Sequence, residues 1–228
     1  SAGLAALAVA SLAVMKTSGQ ATSGQANRPA VTPDGKPNFS GIWKVTNTAN
    51  WDLLAHEMRP AVGQPGVYPD VPVLAAPIVA LGSVGGVPPG PGVVEGNEIP
   101  YTPDAAAKKK DNLEHWLDRD PEVRCYQPGI PRAMYMPYAY QITQSSTKIQ
   151  MVFEYANASR TIHLDDAAPP PADTWMGHSA GRWEGSTLVV DVTNFNDRTW
   201  LSRSGDFHSD ALKLVERFTL VGPNTLLY

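Results

Sequence analysis

The second half of the chain alternates apolar and polar residues, and this pattern constrains the fold more than any other feature of the sequence. In one run the apolar residues fall at every second position, at Ile149, Met151, Phe153 and Tyr155. Alternation with a period of two is typical of a β-strand with one buried face, because successive side chains point to opposite sides of the strand. The chain is therefore predicted to be mainly β.

Further runs of the same kind predict several short strands. We expect strands at about residues 42–45, 138–143, 149–155, 160–164, 187–192 and 212–220. The segments between them are rich in Pro, Gly, Asn and Asp, and short connections of this type favour antiparallel pairing. The predicted fold is an antiparallel barrel or sandwich. Four apolar side chains are expected to point into it, those of Leu188, Val190, Leu214 and Phe218.

The stretch FSGIWKV, residues 39–45, resembles the Gly-x-Trp opening of lipocalin-like barrels. Barrels of about eight strands are wide enough to hold one small ligand. In such a barrel five aromatic residues would line a cavity, namely Trp43, Tyr138, Tyr140, Phe153 and Trp183. The alternative is that these aromatic side chains form an ordinary packed core.

One soluble helix is predicted in the stretch TPDAAAKKKDNLEHWLDRDP, residues 102–121. Thr102 is suited to cap its first turn, Pro103 is favoured at the first helical position, and Asp104 complements the helix dipole. The pair Asp120-Pro121 is expected to end it, because a helix usually stops before proline.

Residues 60–97 form a different kind of segment, apolar but interrupted by many of the chain's 21 prolines and 19 glycines. Proline and glycine disfavour both a helix and a central strand, so we expect an extended arm. An exposed apolar arm is unfavourable unless it is covered by a partner or by its own domain. The predicted partner contacts in the arm are Val73, Leu74, Ile78 and Leu81.

The N-terminus carries no charge from Ser1 to Met15. Two interpretations are open: a secretory signal segment, or a retained signal-anchor helix over residues 1–16. A helix of this length spans about 22 Å, less than the roughly 30 Å of the hydrocarbon core, so further apolar residues are expected before Ser1. We favour the anchor, because an Ala/Gly-rich face suits helix packing in lipid. Its expected partner contacts are Leu4, Leu7 and Leu12.

Residues 17–32 are polar, contain a repeated TSGQ unit and are predicted to be a flexible linker. Residues 33–228 would then form a β-rich domain on the periplasmic side of the inner membrane. Charged residues make up 18% of the chain and its net charge is −4, so no basic patch suited to nucleic acid is present in the sequence. Cys125 is the single cysteine and cannot form a disulfide within this sequence.

The stretch HSAGRWEGSTLVVDVTNFND, residues 178–197, contains several residue types found in active sites. Together with His163, Asp165 and His208, His178 offers weak candidates for metal ligands or acid–base catalysis. None of these histidines has the close spacing of a zinc motif. Ser179 lies outside a G-x-S-x-G motif. No catalytic residue, metal or cofactor is therefore predicted.

A structural interpretation explains more of the same stretch. Gly181 and Gly185 flank Arg182-Trp183-Glu184 as at a tight hairpin, and a half-buried strand follows. Four polar side chains are expected to bind loop backbone groups, as Asn and Asp often do; they are Asp191, Asn194, Asn196 and Asp197.

Four blocks, PDGKPNFSGIW, CYxPGxPRAxYMP, GRWEGxTLVVDV and FHSDALxxVERF, resemble those of a large family of uncharacterised exported bacterial proteins. The resemblance implies export but no established activity. Family members usually have an acid where this chain has Ser186, which argues against an essential carboxylate there. They usually continue past NTLLY with further strands and another cysteine, so the resemblance implies an incomplete barrel and the loss of a partner for Cys125.

These observations predict a non-catalytic accessory subunit that stabilises a bacterial membrane protein complex, respiratory or photosynthetic, on its periplasmic side. Its partners would be other subunits of that complex and, through the N-terminal helix, the membrane. Two alternatives remain open. One is a lipocalin-like carrier of a small apolar ligand. The other is a secreted enzyme that uses His163, His178 or His208.

Overall fold

The computed structural model describes residues 30–60, 63–65, 72–74 and 86–228. Its main feature is a curled sheet of eight strands, a half-barrel. In the order of the sheet these strands are β1 (Gly41–Trp43), β6 (Tyr140–Gln144), β7 (Lys148–Phe153), β8 (Ser159–His163), β9 (His178–Glu184), β10 (Thr187–Thr193), β11 (Leu214–Gly222) and β12 (Thr225–Leu227). The prediction of a mainly β protein with one helix in this part of the chain is confirmed.

Neighbouring strands of this sheet are antiparallel, with one exception. β8 and β9 run parallel, with Ile162 opposite Ser179 and His163 opposite Ala180. The prediction of a wholly antiparallel sheet is therefore wrong at this place. Residues 164–177 explain the difference, because this connection has the dozen or more residues that a parallel crossover needs.

The predicted inward face is confirmed. Leu188, Val190 and Phe218 are buried, and Leu214 is half-buried against the same core. In β7 the alternation holds from Ile149 to Phe153. It stops there, because Tyr155–Asn157 forms a 3-10 turn in which Ala156 and Asn157 have positive φ. The strand predicted to reach Tyr155 is thus shorter than expected.

The aromatic residues considered as a cavity lining contribute to packing. Trp43, Tyr140 and Phe153 are buried members of the hydrophobic core. Trp183 is half-buried and packs on Phe39, with ring centroids 5.3 Å apart. Tyr138 packs on Tyr155, with ring centroids 5.4 Å apart. These contacts support the core interpretation of the aromatic set.

The predicted helix forms α1 (Pro103–Glu114) and begins as expected, with the backbone N–H of Ala105 donating to Thr102 Oγ1 at 3.3 Å. It ends six residues before Asp120, because His115 has non-helical backbone angles. A single turn, α2 (Trp116–Arg119), and a 3-10 turn, Pro121–Arg124, follow.

Gly205 allows α1 to pack closely on the loop that follows β10. Its φ is +88°, and a Cβ atom there would lie 2.5 Å from the carbonyl oxygen of Lys109. The Asn112 amide donates to the carbonyl of Gly205 at 3.2 Å. Only glycine satisfies both the backbone angle and the close approach.

The arm contains short paired strands of its own. β2 (Arg59–Pro60) pairs with β5 (Gly86–Val87), and β3 (Gly63–Pro65) pairs with β4 (Pro72–Leu74), both antiparallel. Neither pair belongs to the eight-stranded sheet. The arm was expected to lack such pairing, and in its described part it doubles back on itself instead.

The hairpin predicted in the stretch 178–197 is present, but its turn lies after Glu184 and not between Gly181 and Gly185. Gly185 and Ser186 form the turn between β9 and β10, and Gly185 has a φ of +61°. Gly181 lies inside β9, where a Cβ atom would come 2.7 Å from Ile162 Cγ2. Its role is thus close packing against β8 rather than turn formation.

Several predictions fall on residues outside the described ranges: the anchor 1–16 with Leu4, Leu7 and Leu12, the linker up to residue 29, and the arm residues Ile78 and Leu81. Val73 and Leu74 lie in β4. Within the ranges that are described, no helix is both long enough and apolar enough to span a bilayer.

Candidate functional site

A cleft of about 450 Å³ opens beside the parallel pair β8 and β9. His163 and His178 line it, and their imidazole rings stack with centroids 5.3 Å apart and an interplanar angle of 27°. Thr161 and Trp175 are also in its wall. The structure thus brings together two of the three histidines singled out in the sequence, and we call this space the histidine cleft.

The two histidines offer polar groups but few charged neighbours. Nδ1 of His163 is buried, has no hydrogen-bond partner within the described part of the chain, and lies 3.6 Å from Asp165 Oδ1. Among the described residues, no group of three or more His, Cys, Asp or Glu side chains is placed to hold a metal ion. The geometry therefore fits hydrogen bonding to a polar ligand, with the stacked rings forming one side of the cleft.

His208 lies away from the histidine cleft, in the connection between β10 and β11. Its Nδ1 donates to the carbonyl oxygen of Ser209 at 2.8 Å, so Nε2 accepts from the hydroxyl of Thr199, 2.6 Å away. Burial lowers the pKa of His208. Both ring nitrogens are occupied by neighbours in the fold, which gives this histidine a structural role.

Ser179 is buried and accepts a hydrogen bond from a buried arginine. Its Oγ accepts from Arg160 Nε at 2.8 Å, and the Arg160 guanidinium forms a two-point ion pair with Glu216. The hydroxyl of Tyr228 donates to Glu216 Oε1 at 3.0 Å. Tyr228 as a whole residue is exposed, whereas its hydroxyl reaches this buried pair, and burial raises the pKa of that hydroxyl.

The structure also contains a buried ionic cluster that sequence analysis missed, built around Arg132. This side chain is 1% exposed and binds Asp120 through both terminal nitrogens, at 2.7 and 2.8 Å. It also donates to Glu122 at 2.6 Å and to Asn50 at 3.1 Å. Arg203 binds the same Glu122 carboxylate at two points, each at 2.8 Å.

The charges of this cluster stabilise one another. Burial by itself would raise the pKa of Glu122, but Arg132 and Arg203 outweigh it and hold that pKa below its usual value. Arg203 also lies over the Trp51 ring at 4.5 Å, a cation–π contact. The cluster thereby joins the segment before α1, the 3-10 turn after α2 and the loop after β10.

Asp206 is the centre of a second group of polar contacts, in the same loop as Arg203. Its carboxylate accepts from Tyr101, Ser202 and Ser204 at 2.5–2.7 Å and pairs with Lys109 at 2.7 Å. Burial favours the neutral acid, yet these donors hold the pKa of Asp206 below its usual value. Lys109 and Tyr101 thus fix α1 and its entry segment to the loop.

The sequence held one signal for the cluster. Arg132 lies in CYxPGxPRAxYMP, and Arg203 and Asp206 lie just before FHSDALxxVERF, so the blocks behind the family resemblance adjoin the buried charges. Period-two alternation does not identify these buried charged residues, because they lie in loops and 3-10 turns.

Cys125, the single cysteine of the chain, is exposed and has a left-handed backbone with a φ of 56°.

Comparison of the chain with protein-family models, with curated proteins and with solved structures gave no match.

Proposed function

We propose that the chain is a non-catalytic accessory subunit of a bacterial membrane protein complex, held by an N-terminal anchor and displayed on the periplasmic side. The observation that carries the proposal is the arm. Its described strands pair with one another and stay outside the eight-stranded sheet. An apolar segment with this arrangement is suited to contact a second protein through Val73, Leu74, Ile78 and Leu81.

Several of the polar side chains that could act in catalysis are instead bound by neighbours inside the fold, which supports a structural role. Ser179, His208 and the carboxylates of Glu122, Asp206 and Glu216 are engaged by partners inside the fold. Such networks hold loops in one arrangement, as a rigid docking domain requires.

The experiment removes the arm while preserving its base. Pro60 and Gly86 are opposite each other in the short ladder, so residues 61–85 are replaced by an Asn-Gly turn. Tagged wild-type and deleted chains are extracted from membranes of the native host in mild detergent, and their assembly sizes are compared. The wild type is expected in one discrete high-mass complex, and the deleted chain is expected to be released from it.

A quadruple serine variant of Val73, Leu74, Ile78 and Leu81 should also be released. The matched control replaces Val152 and Val215 with serine, because these valines are exposed on the sheet. The control chain should stay in the complex. Full retention of the arm-deleted chain, or wild-type protein that migrates alone, would contradict the proposal.

The histidine cleft favours one second candidate, an exported enzyme or carrier that takes a small molecule there. Its supporting observation is the stacked pair His163 and His178 in the wall of the cleft. A double glutamine variant at these positions tests it. Loss of a measurable turnover with normal assembly would favour the enzyme over the accessory subunit.

A further inference from the structure

A second cleft, of about 410 Å³, adjoins the histidine cleft at Trp175, which lines both. Its wall consists of Arg119, Pro121, Arg124, Tyr126, Trp175 and Arg198. Half of these side chains are arginines and none is acidic. We call this space the arginine cleft. On a chain with a net charge of −4, it concentrates positive charge at one place.

Two of the arginines are held in position by the fold. Arg119 forms an ion pair with Asp111, and Arg124 Nη2 donates to the carbonyl oxygen of Asp118 at 2.8 Å. A guanidinium has five N–H donors, so each keeps donors free for a ligand. Asp111 partly neutralises Arg119. Arg124 and Arg198 have no ion-pair partner among the described residues, so they carry most of the available charge.

The aromatic side chains supply an apolar wall. Tyr126 and Trp175 meet edge to face, with ring centroids 5.3 Å apart and an interplanar angle of 62°. Tyr126 is 46% exposed, so part of this side chain is accessible to a ligand. Aromatic rings beside guanidinium groups are suited to planar anions, because the charge is bound by the arginines and the ring by stacking.

We propose that the arginine cleft binds a small aromatic molecule that bears a carboxylate or phosphate. The charged group contacts Arg124 and Arg198, and the ring lies against Tyr126 and Trp175. Polar atoms at the far end of such a ligand reach the histidine cleft around Trp175. This inference does not rest on the proposed role in a membrane complex.

Three matched probes test the proposal by isothermal titration calorimetry on the full-length chain. They are 2-naphthoate, the neutral 2-naphthylmethanol with the same rings, and acetate with the same charge. We expect 2-naphthoate to bind, and the other two to bind at least tenfold more weakly. Arg124→Gln and Arg198→Gln should each weaken 2-naphthoate at least fivefold, and Arg119→Gln less.

The matched control is Arg217→Gln, which removes the same charge from an exposed arginine on the sheet, outside both clefts. It should leave 2-naphthoate binding unchanged. Equal affinity for 2-naphthoate and 2-naphthylmethanol would overturn the proposal, as would equal weakening by Arg217→Gln. Binding to anionic phospholipid vesicles with no binding of 2-naphthoate would also overturn it, since the arginines would then contact a membrane surface. Circular dichroism of each variant shows that it is folded.

Discussion

At the scale of single residues, the buried arginine Arg132 is expected to be the most sensitive position. Arg132→Met removes the partner of Asp120 and leaves two buried carboxylates with less compensation. Breaking a buried ion pair in this way costs about 3–5 kcal/mol in the free energy of unfolding. Urea denaturation measures the change.

Arg182→Met is the control for Arg132, because Arg182 pairs with Asp191 at the exposed surface. Its unfolding midpoint should stay close to that of the wild type. Equal losses in the two variants would show that burial of the ionic cluster contributes nothing to stability.

The Arg160–Glu216 pair is expected to be strongly coupled, because both side chains are 1% exposed. Arg160→Met or Glu216→Leu alone leaves one buried charge without its partner, whereas the double variant removes both charges. We expect the double variant to be more stable than either single variant, in a double-mutant cycle measured by urea denaturation. Additive losses would contradict the coupling.

Acid is expected to destabilise the fold in two steps. His208 has a lowered pKa in the folded state, so the unfolded chain takes up its proton first and stability falls as the pH drops below about 6.5. Glu122 and Asp206 also have lowered folded-state pKa values. Their contribution is present above the unfolded pKa of about 4 and is lost as the pH falls below it.

His208→Gln isolates the first step. Urea denaturation at a series of pH values should show a flatter stability profile in this variant as the pH falls below about 6.5. The second step, at lower pH, should remain. If His208→Gln kept the wild-type pH dependence of stability just below about pH 6.5, another group would be responsible for that loss of stability.

At the scale of elements, the packing of α1 on the loop after β10 depends on Gly205. Gly205→Ala adds a Cβ atom 2.5 Å from a backbone carbonyl and forces a positive φ on alanine. Gly35→Ala is the matched control, because Gly35 also has a positive φ, +77°, but nothing lies within 4 Å of its Cβ position.

The free energy of unfolding of the Gly35 variant should therefore fall only by the cost of a positive φ on alanine, about 1–2 kcal/mol. That of the Gly205 variant should fall clearly more. Thermal denaturation compares the two. Equal losses would show that the close approach of α1 is not required for stability.

Alternation predicted six of the eight strands of the sheet and the inward faces of β10 and β11, because it reports burial within one strand. It missed the parallel pairing of β8 and β9, because pairing direction depends on the path of residues 164–177. The early end of α1 at His115 was missed as well, since the proline that signals a helix end lies farther along the chain, at Pro121.

The candidate site was less predictable than the sheet. His163 and His178 were singled out by residue type, yet their stacking arises from the packing of two strands that are separated by a long connection. The clusters around Arg132 and Glu216 were missed for a different reason. Charged residues are ordinarily expected at the surface, and only the folded chain shows which ones have buried partners.

At the scale of the whole molecule, the described strands fall into an eight-stranded sheet and two short pairs in the arm. The eight-stranded sheet and the Arg132 cluster hold the domain together, whereas β3 and β4 pair only with each other among the described strands. In the proposed function, the arm and the N-terminal anchor make the contacts with the complex. Replacement of His163, His178 and His208 by alanine should then leave assembly intact, even if the His208 change lowers stability.

Site-specific photo-crosslinking in native membranes tests this central claim most directly. A photoreactive residue at Leu74 places the probe in the arm, and one at Val152 places it on the exposed face of the sheet. The account predicts a discrete crosslinked product with another membrane subunit from position 74 and none from position 152. Crosslinks from position 74 that stay within the chain, or an equal product from both positions, would contradict it.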